Sequence, residues 1–376
     1  MDPEEPARIT RVTVTIVLAK QARAVSGNEC ATIAPRGPTK LGISFRPLQA
    51  VALGLDPRAA LDTLLKHPFQ LLRVAAYWSR LEPQAGSFDP LELDRQVDAA
   101  ERAGKQIIIC VGAVKALGYP EFFVPAHHLN APLPEGQLVS RDTHPRLLDA
   151  ALAQVTRVVD RYKQSTSVVA WQVEHEAVDP LGLEHSWRLA TSFVEEEVQA
   201  LRAADPSRPV VMNGFLAGSM PVRAHQWWRT RDQGDSFAVA NQLADIVGID
   251  HYPRQAVLGV RGWSLYLTSG AGRGGQRALG RVAAQAYVHD RRLMVTEGQA
   301  EPWETSTVPP NPAGRFPSSC TPDDLVNNYN SCMTWVRQAQ MALDAYLFWG
   351  AEYWLLRQQT GDPRYLEAFQ RILAEA

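Results

Sequence analysis

Eight short apolar runs, separated by stretches with helical periodicity, predict an α/β protein built as a single (β/α)8 barrel. Three observations carry that prediction. Nearly all the runs are hydrophobic throughout, as strands buried on both faces are. They alternate with amphipathic stretches from Leu41 to the end of the chain. Eight such units over residues 41–376 also suit a fold of about 250 residues that grows by loop insertion. The rival, a doubly wound open sheet, calls for a glycine-rich turn after its first strand, and LGISFRPLQA has none. No repeat, linker or low-complexity segment divides the chain, so residues 41–376 are read as one domain.

The expected strands are LGISF (41–45), LLRVAA (71–76), QIIICV (106–111), VVAWQV (168–173), PVVMNG (209–214), DIVGID (245–250), LMVTE (293–297) and AYLFWG (345–350). Helices are expected over PRAALDTLLKH (57–67), PLELDRQVDAAERAG (90–104), PRLLDAALAQVTRVVDRYK (145–163), SWRLATSFVEEEVQALRAADP (186–206) and the closing PRYLEAFQRILAEA. The second ends at a glycine and the fourth stops before Pro206, both ordinary helix stops.

Composition narrows the function. The chain is 45% hydrophobic and 21% charged, ordinary for a globular protein. A net charge of −2 gives no long-range field for nucleic acid or an anionic membrane. No run approaches the roughly 20 apolar residues of a membrane span. Residues 1–40 open MDPEEP and lack the basic start and longer apolar core of a secretory signal; they read as a poorly specified extension. A cytoplasmic protein is favoured on that ground, with secretion still open. Cys30, Cys110, Cys320 and Cys332 form no disulfide framework and read as reduced structural thiols. Only Cys320 and Cys332 are near enough in sequence to suggest a bridge.

Barrel active sites lie at the C-terminal ends of the strands. There the sequence places Arg73 with Tyr77 and Trp78, then Glu174-His175-Glu176, Asp250-His251-Tyr252, Glu297, and Trp349 with Glu352. Glu176 and Glu297 would face each other across the barrel mouth. A carboxyl pair about 5–5.5 Å apart is what retaining glycoside cleavage needs, one group protonating the leaving oxygen and the other attacking the anomeric carbon. Trp349 and Trp303 offer flat faces for sugar rings. Each residue also has a plainer reading: a solvated loop glutamate, an arginine paired with a structural carboxylate, rim packing for Tyr252 and Trp349, a core histidine for His175.

Taken together, these motifs resemble clan A of the glycoside hydrolases, the retaining barrels that include cellulases, mannanases, xylanases and β-galactosidases. The resemblance spans roughly residues 41 to 375. It implies that Arg73 is the clan's strand-two arginine, which supports the nucleophile. WQVEHEA matches the fourth-strand motif with Glu176 as acid/base, and VTEGQAEPW the seventh with Glu297 as nucleophile. DIVGIDHYP places Tyr252 at the tyrosine bonded to that nucleophile, and YLFWGAEYW places Trp349 at the sugar platform. The implied partner is a β-linked oligosaccharide, polysaccharide or glycoside, with no cofactor and no metal. One departure stands out: the clan has asparagine before the acid/base, where it bonds the sugar 2-hydroxyl, and this chain has His175. Altered substrate, reduced hydrolysis and lost catalysis all stay open, so a carbohydrate-binding barrel and a transglycosylase are the alternatives.

Residues 112–145, with Tyr119, Phe122, Phe123, His127 and His128, are expected to wall one side of the cleft, and Trp227-Trp228 and Trp303 another. Gly270, Gly272 and Gly275 have dinucleotide-site spacing but fall late in the chain, so a loop is expected there. No HxH or HExxH spacing appears, and neighbouring strand residues point to opposite faces, which argues against a catalytic metal.

Overall fold

The computed structural model describes residues 13–14 and 31–376, except 118–121, 135, 179–186, 219–222, 225–226, 228–234, 261, 269–272 and 303–318. All eight expected strands form: β1 (Lys40–Ser44), β2 (Leu71–Ala75), β3 (Gln106–Cys110), β4 (Val168–Gln172), β5 (Val210–Phe215), β6 (Ile246–His251), β7 (Arg292–Gln299) and β8 (Ala345–Trp349). They pair in parallel and close into a barrel in the order β7-β8-β1-β2-β3-β4-β5-β6. Among the described residues the helices around it include α1 (Pro57–Leu65), α2 (Leu91–Arg102), α3 (Pro145–Tyr162), α4 (Thr191–Ala204), α5 (Ser236–Leu243), α6 (Arg273–Val288), α7 (Pro322–Gln338) and α8 (Arg364–Glu375).

Local chemistry explains the helix starts. Asp56 accepts from the Ala59 amide at 2.7 Å ahead of Pro57, capping α1. Thr321 and Asp324 form a reciprocal capping box on α7. α3 buries Leu147, Leu148, Ala151, Val155, Val158, Val159 and Tyr162, the one-sided spacing that seats it on the sheet. α4 begins at Thr191 rather than 186, because Arg188–Leu189 pairs in parallel with Leu138–Val139 and strand pairing takes that segment first. The expected glycine loop is also corrected in part: Gly275 lies within α6, while Gly270 and Gly272 fall outside the described residues.

The barrel interior changes from apolar to polar along the strands. Leu71, Ile108, Ala170, Val211, Met294 and Leu347 form a closed apolar cluster. Two residues further along come Arg73, Cys110, Gln172, Asn213, Thr296 and Trp349, all buried. A period of two keeps both sets on the inward face. The polar layer therefore forms the floor of the barrel mouth.

Cys110, Cys320 and Cys332 are buried free thiols, so no bridge joins the last two; Cys30 lies outside the described residues. Among the described residues no helix is long and apolar enough to cross a membrane.

Candidate active site

Glu297 reaches the mouth through a register shift. Against β6, Val295 pairs with Ile249 but Glu297 pairs with Asp250, so one residue is inserted between them. The extra residue lets two successive side chains, Thr296 and Glu297, both turn inward. Thr296 Oγ1 donates to Asp250 Oδ1 at 2.7 Å. Next along, Gly298 lies so close to Tyr346 that an added Cβ would stand 2.4 Å from its ring. That close approach admits only glycine.

Three donors from three strand ends hold the Glu297 carboxylate. Arg73 Nη1 donates to Oε1 at 3.0 Å, His175 Nε2 lies 2.7 Å from the same oxygen, and Tyr252 Oη donates to Oε2 at 2.6 Å. Arg73 is fully buried and is itself fixed by Gln172 Oε1, Ser44 Oγ and the Thr296 carbonyl. Burial would raise the Glu297 carboxyl, but His175, then Arg73 and Tyr252, outweigh it and hold it well below the usual range. Glu297 is thus an anion at neutral pH.

His175 and Glu176 sit on an unusual backbone. Glu174 and Glu176 have φ of 50° and 44°, two of the four non-glycine residues described with positive φ. Such conformations store roughly 1–3 kcal/mol each and persist only when neighbours enforce them. Here the Glu174 carboxylate accepts from the amides of Val114 and Lys115, at 2.9 and 2.5 Å. The His175 amide donates to the Lys115 carbonyl, Lys115 Nζ donates to the Glu176 carbonyl, and the Glu176 amide donates to Asn213 Oδ1. Gly112 allows this approach: an added Cβ would lie 2.0 Å from the Glu174 nitrogen. The loop after β3 therefore clamps the loop after β4.

Asp250 completes the site. Its carboxyl accepts from Asn213 Nδ2 at 2.5 Å and is hydrogen-bonded to the Glu176 side chain. Two carboxyls bond to each other only if a proton lies between them. Burial, then the neighbouring Glu297 charge, push Asp250 up to about 7, against the opposing pull of His175 and Arg73. The mouth thus holds one ionised carboxylate and one proton-sharing carboxyl pair, the division of labour that acid/base and nucleophilic roles require.

Trp349 lies at the end of β8, 8% exposed, with the Arg46 guanidinium 4.2 Å over its ring. Arg46 is fixed in turn by Glu352 and Glu301. The His175 ring runs parallel to Trp349 at 6.5 Å between centroids.

Arg73, His175, Glu176, Tyr252, Glu297 and Trp349 are all brought to this mouth, while Trp303, Tyr119 and Trp228 lie outside the described residues. Trp227 is 68% exposed. Phe123 stacks on Tyr77 at 4.3 Å, and Phe122 on Trp187 at 4.7 Å. Sequence reasoning passed over Asn213 and Gln172, and placed Asp250 at the mouth without giving it a role. Each is a polar residue in an otherwise apolar strand, and that was the available signal.

Among the described residues, two groups could hold a metal: His175 with Asp250 and Glu297, and Glu82 with His127 and His128. In the first, Arg73 already supplies positive charge to the carboxylate. Glu174 turns away to the loop amides, and His251 is buried where Gln276, Leu279 and Trp335 line the space beside it.

The family model of glycoside hydrolase family 42, β-galactosidase, matches residues 60–181. That span holds Arg73, His175 and Glu176. Solved structures share the fold. An endoxylanase of glycoside hydrolase family 10 from a sugarcane soil metagenome is 13% identical, with 90% of this chain and 97% of that one covered and a TM-score of 0.56. Xylanase 10B from Thermotoga maritima is 13% identical, with 90% and 95% covered at 0.54. An intracellular xylanase from Thermoanaerobacterium saccharolyticum, solved with xylotetraose, is 17% identical, with 83% and 86% covered at 0.50. The chain thus shares the closed barrel of these xylanases and, over residues 60–181, is similar to the β-galactosidase family model.

Proposed function

We propose that the chain cleaves a β-linked glycosidic bond with retention, using Glu297 as nucleophile and Glu176 as acid/base. The observation that carries this reading is the Glu297 carboxylate, held as an anion by Arg73, His175 and Tyr252 beside the proton-sharing pair Glu176–Asp250. In the first step a Glu297 oxygen bonds to the anomeric carbon. The bond to the leaving oxygen breaks, and that oxygen takes the proton held by Glu176.

Forming the glycosyl ester removes the negative charge of Glu297. That charge is what, after burial, holds the Asp250 proton most strongly, so the pair becomes more acidic once the ester forms. Glu176 is then left ionised to take a proton from water. The water oxygen attacks the anomeric carbon and frees Glu297. Trp349, backed by Arg46, offers its open face to the sugar.

Hydrolysis of aryl β-glycosides (gluco, galacto, manno, xylo and fuco) and of xylotetraose tests the reading, with wild type beside Glu297→Ala and Glu176→Ala. Turnover lost in the first variant supports it, as does turnover in the second that returns with azide only on substrates with good leaving groups. Unchanged turnover in Glu297→Ala sinks it.

One observation favours a second reading. His175 lies 2.7 Å from Glu297, where the clan's asparagine bonds the sugar, and a short hydrogen bond to a nucleophile weakens it. A barrel that binds oligosaccharide without cleaving it would show affinity for xylotetraose and no turnover at any pH. Product analysis with added sugar acceptor separates transglycosylation from hydrolysis.

A further inference from the structure

We propose that Glu82, His127 and His128 form a binding site for a divalent transition metal of the Zn2+ class, away from the catalytic carboxylates, that fastens the wall of the cleft to the barrel. His127 Nε2 lies 3.2 Å from Glu82 Oε1, and His128 Nε2 lies 3.0 Å from Glu82 Oε2. Zinc bonds to imidazole and carboxylate are about 2.0–2.2 Å long, so the edges of a tetrahedral site are about 3.3–3.5 Å. One ligand atom from each of the three side chains lies within 4.8 Å of the other two.

Adjacent residues in a helical turn project about 100–120° apart. His127 and His128 are neighbours in the single turn Ala126–His128, yet both rings converge on one carboxylate. Outer contacts fix the rest. Trp78 Nε1 donates to Glu82 Oε2 at 2.8 Å and the Gly86 amide to Oε1 at 2.9 Å. The His128 ring packs on Trp78 at 4.6 Å. Such partners are what orient metal ligands elsewhere.

The histidine side chains are 27% and 22% exposed, which leaves an approach for the ion and a fourth position for water. Two imidazoles and one carboxylate suit zinc rather than magnesium or calcium. Binding through Nε2 requires each imidazole to carry its proton on Nδ1. Glu82 follows β2 and the short helix Trp78–Leu81, whereas the histidines belong to the segment after β3. The metal would therefore join two loops at the mouth, where Phe123 already packs on Tyr77.

The test is zinc titration of the untagged full chain by calorimetry, with metal content read after dialysis. One equivalent is expected in wild type. It should be lost in Glu82→Gln and in His127→Gln/His128→Gln, and kept in His175→Ala, which removes the competing cluster. Co2+ should give the strong visible absorption of a tetrahedral site in wild type and His175→Ala, and not in the Glu82 or His127/His128 variants. Absence of stoichiometric binding by wild type overturns the proposal without any variant having to fold. Binding that survives Glu82→Gln, or that disappears in His175→Ala, overturns it equally.

Discussion

Replacing His175 with asparagine, the clan's residue, should move the whole pH–activity bell towards alkaline pH. His175 is the largest of the influences that hold Glu297 down, and its bond to Oε1 is short and buried. A hydrogen bond to a charged group contributes about 1.5–3 kcal/mol, and 1.36 kcal/mol is one pKa unit, so the acid limb should rise by about 1–2 units. Arg73 and Tyr252 remain, which keeps Glu297 ionised at neutral pH. His175 Nε2 also lies 3.9 Å from Asp250 Oδ2 and opposes its rise, so the basic limb should shift the same way by less. The assay is kcat/KM against pH on the fastest aryl glycoside, which reports the free enzyme. Stability gives a readout that needs no turnover. A carboxyl held low in the fold contributes stability that is present above its unfolded pKa and lost as pH falls through the folded one. In His175→Asn that loss should be smaller and finish at higher pH, visible in Tm measured across acidic buffers. Limbs and Tm profiles that superimpose on wild type, with only the amplitude changed, would refute the reasoning.

Tyr252→Phe removes one bond to Glu297 and should lower kcat/KM by roughly 10- to 100-fold with Tm nearly unchanged, as a bond of about 1.5–3 kcal/mol implies. Gly112→Ala places a Cβ against the Glu174 backbone and should cost at least about 1–3 kcal/mol by urea denaturation, with activity falling as the β4 loop shifts. Glu197 on α4 shares a proton with Glu174, and burial, then the Glu174 charge, raise it well above the usual range. Stability from that proton is full below the unfolded pKa of about 4.3 and falls as pH rises towards the folded one. Glu197→Gln supplies an amide donor instead. Its urea midpoint should therefore gain on wild type from pH 4 to pH 8, and a constant difference between the two proteins would count against the shared proton.

The barrel was legible because its strands are buried on both faces, so VVAWQV or LMVTE reads as a strand whatever surrounds it. Period two also carried information that was left unused: Gln172 and Asn213 are the polar residues of apolar strands, and Asp250 lies two before Tyr252. The inward turn of Glu297 was not legible, because the bulge at Thr296 is a matter of pairing with β6 and β8 rather than of local sequence. The start of α4 was hidden for the same reason, since a two-residue pairing with a segment fifty positions away decides it.

His175 is the sharpest case. Its identity was conspicuous in WQVEHEA, but its contact with Glu297 depends on two left-handed residues held by amides from the loop after β3. That backbone is enforced by Glu174, Lys115 and Asn213 rather than by the imidazole. Exchanging the imidazole therefore leaves the clamp in place, and the His175→Asn variant separates the bond to Glu297 from the geometry that delivers it.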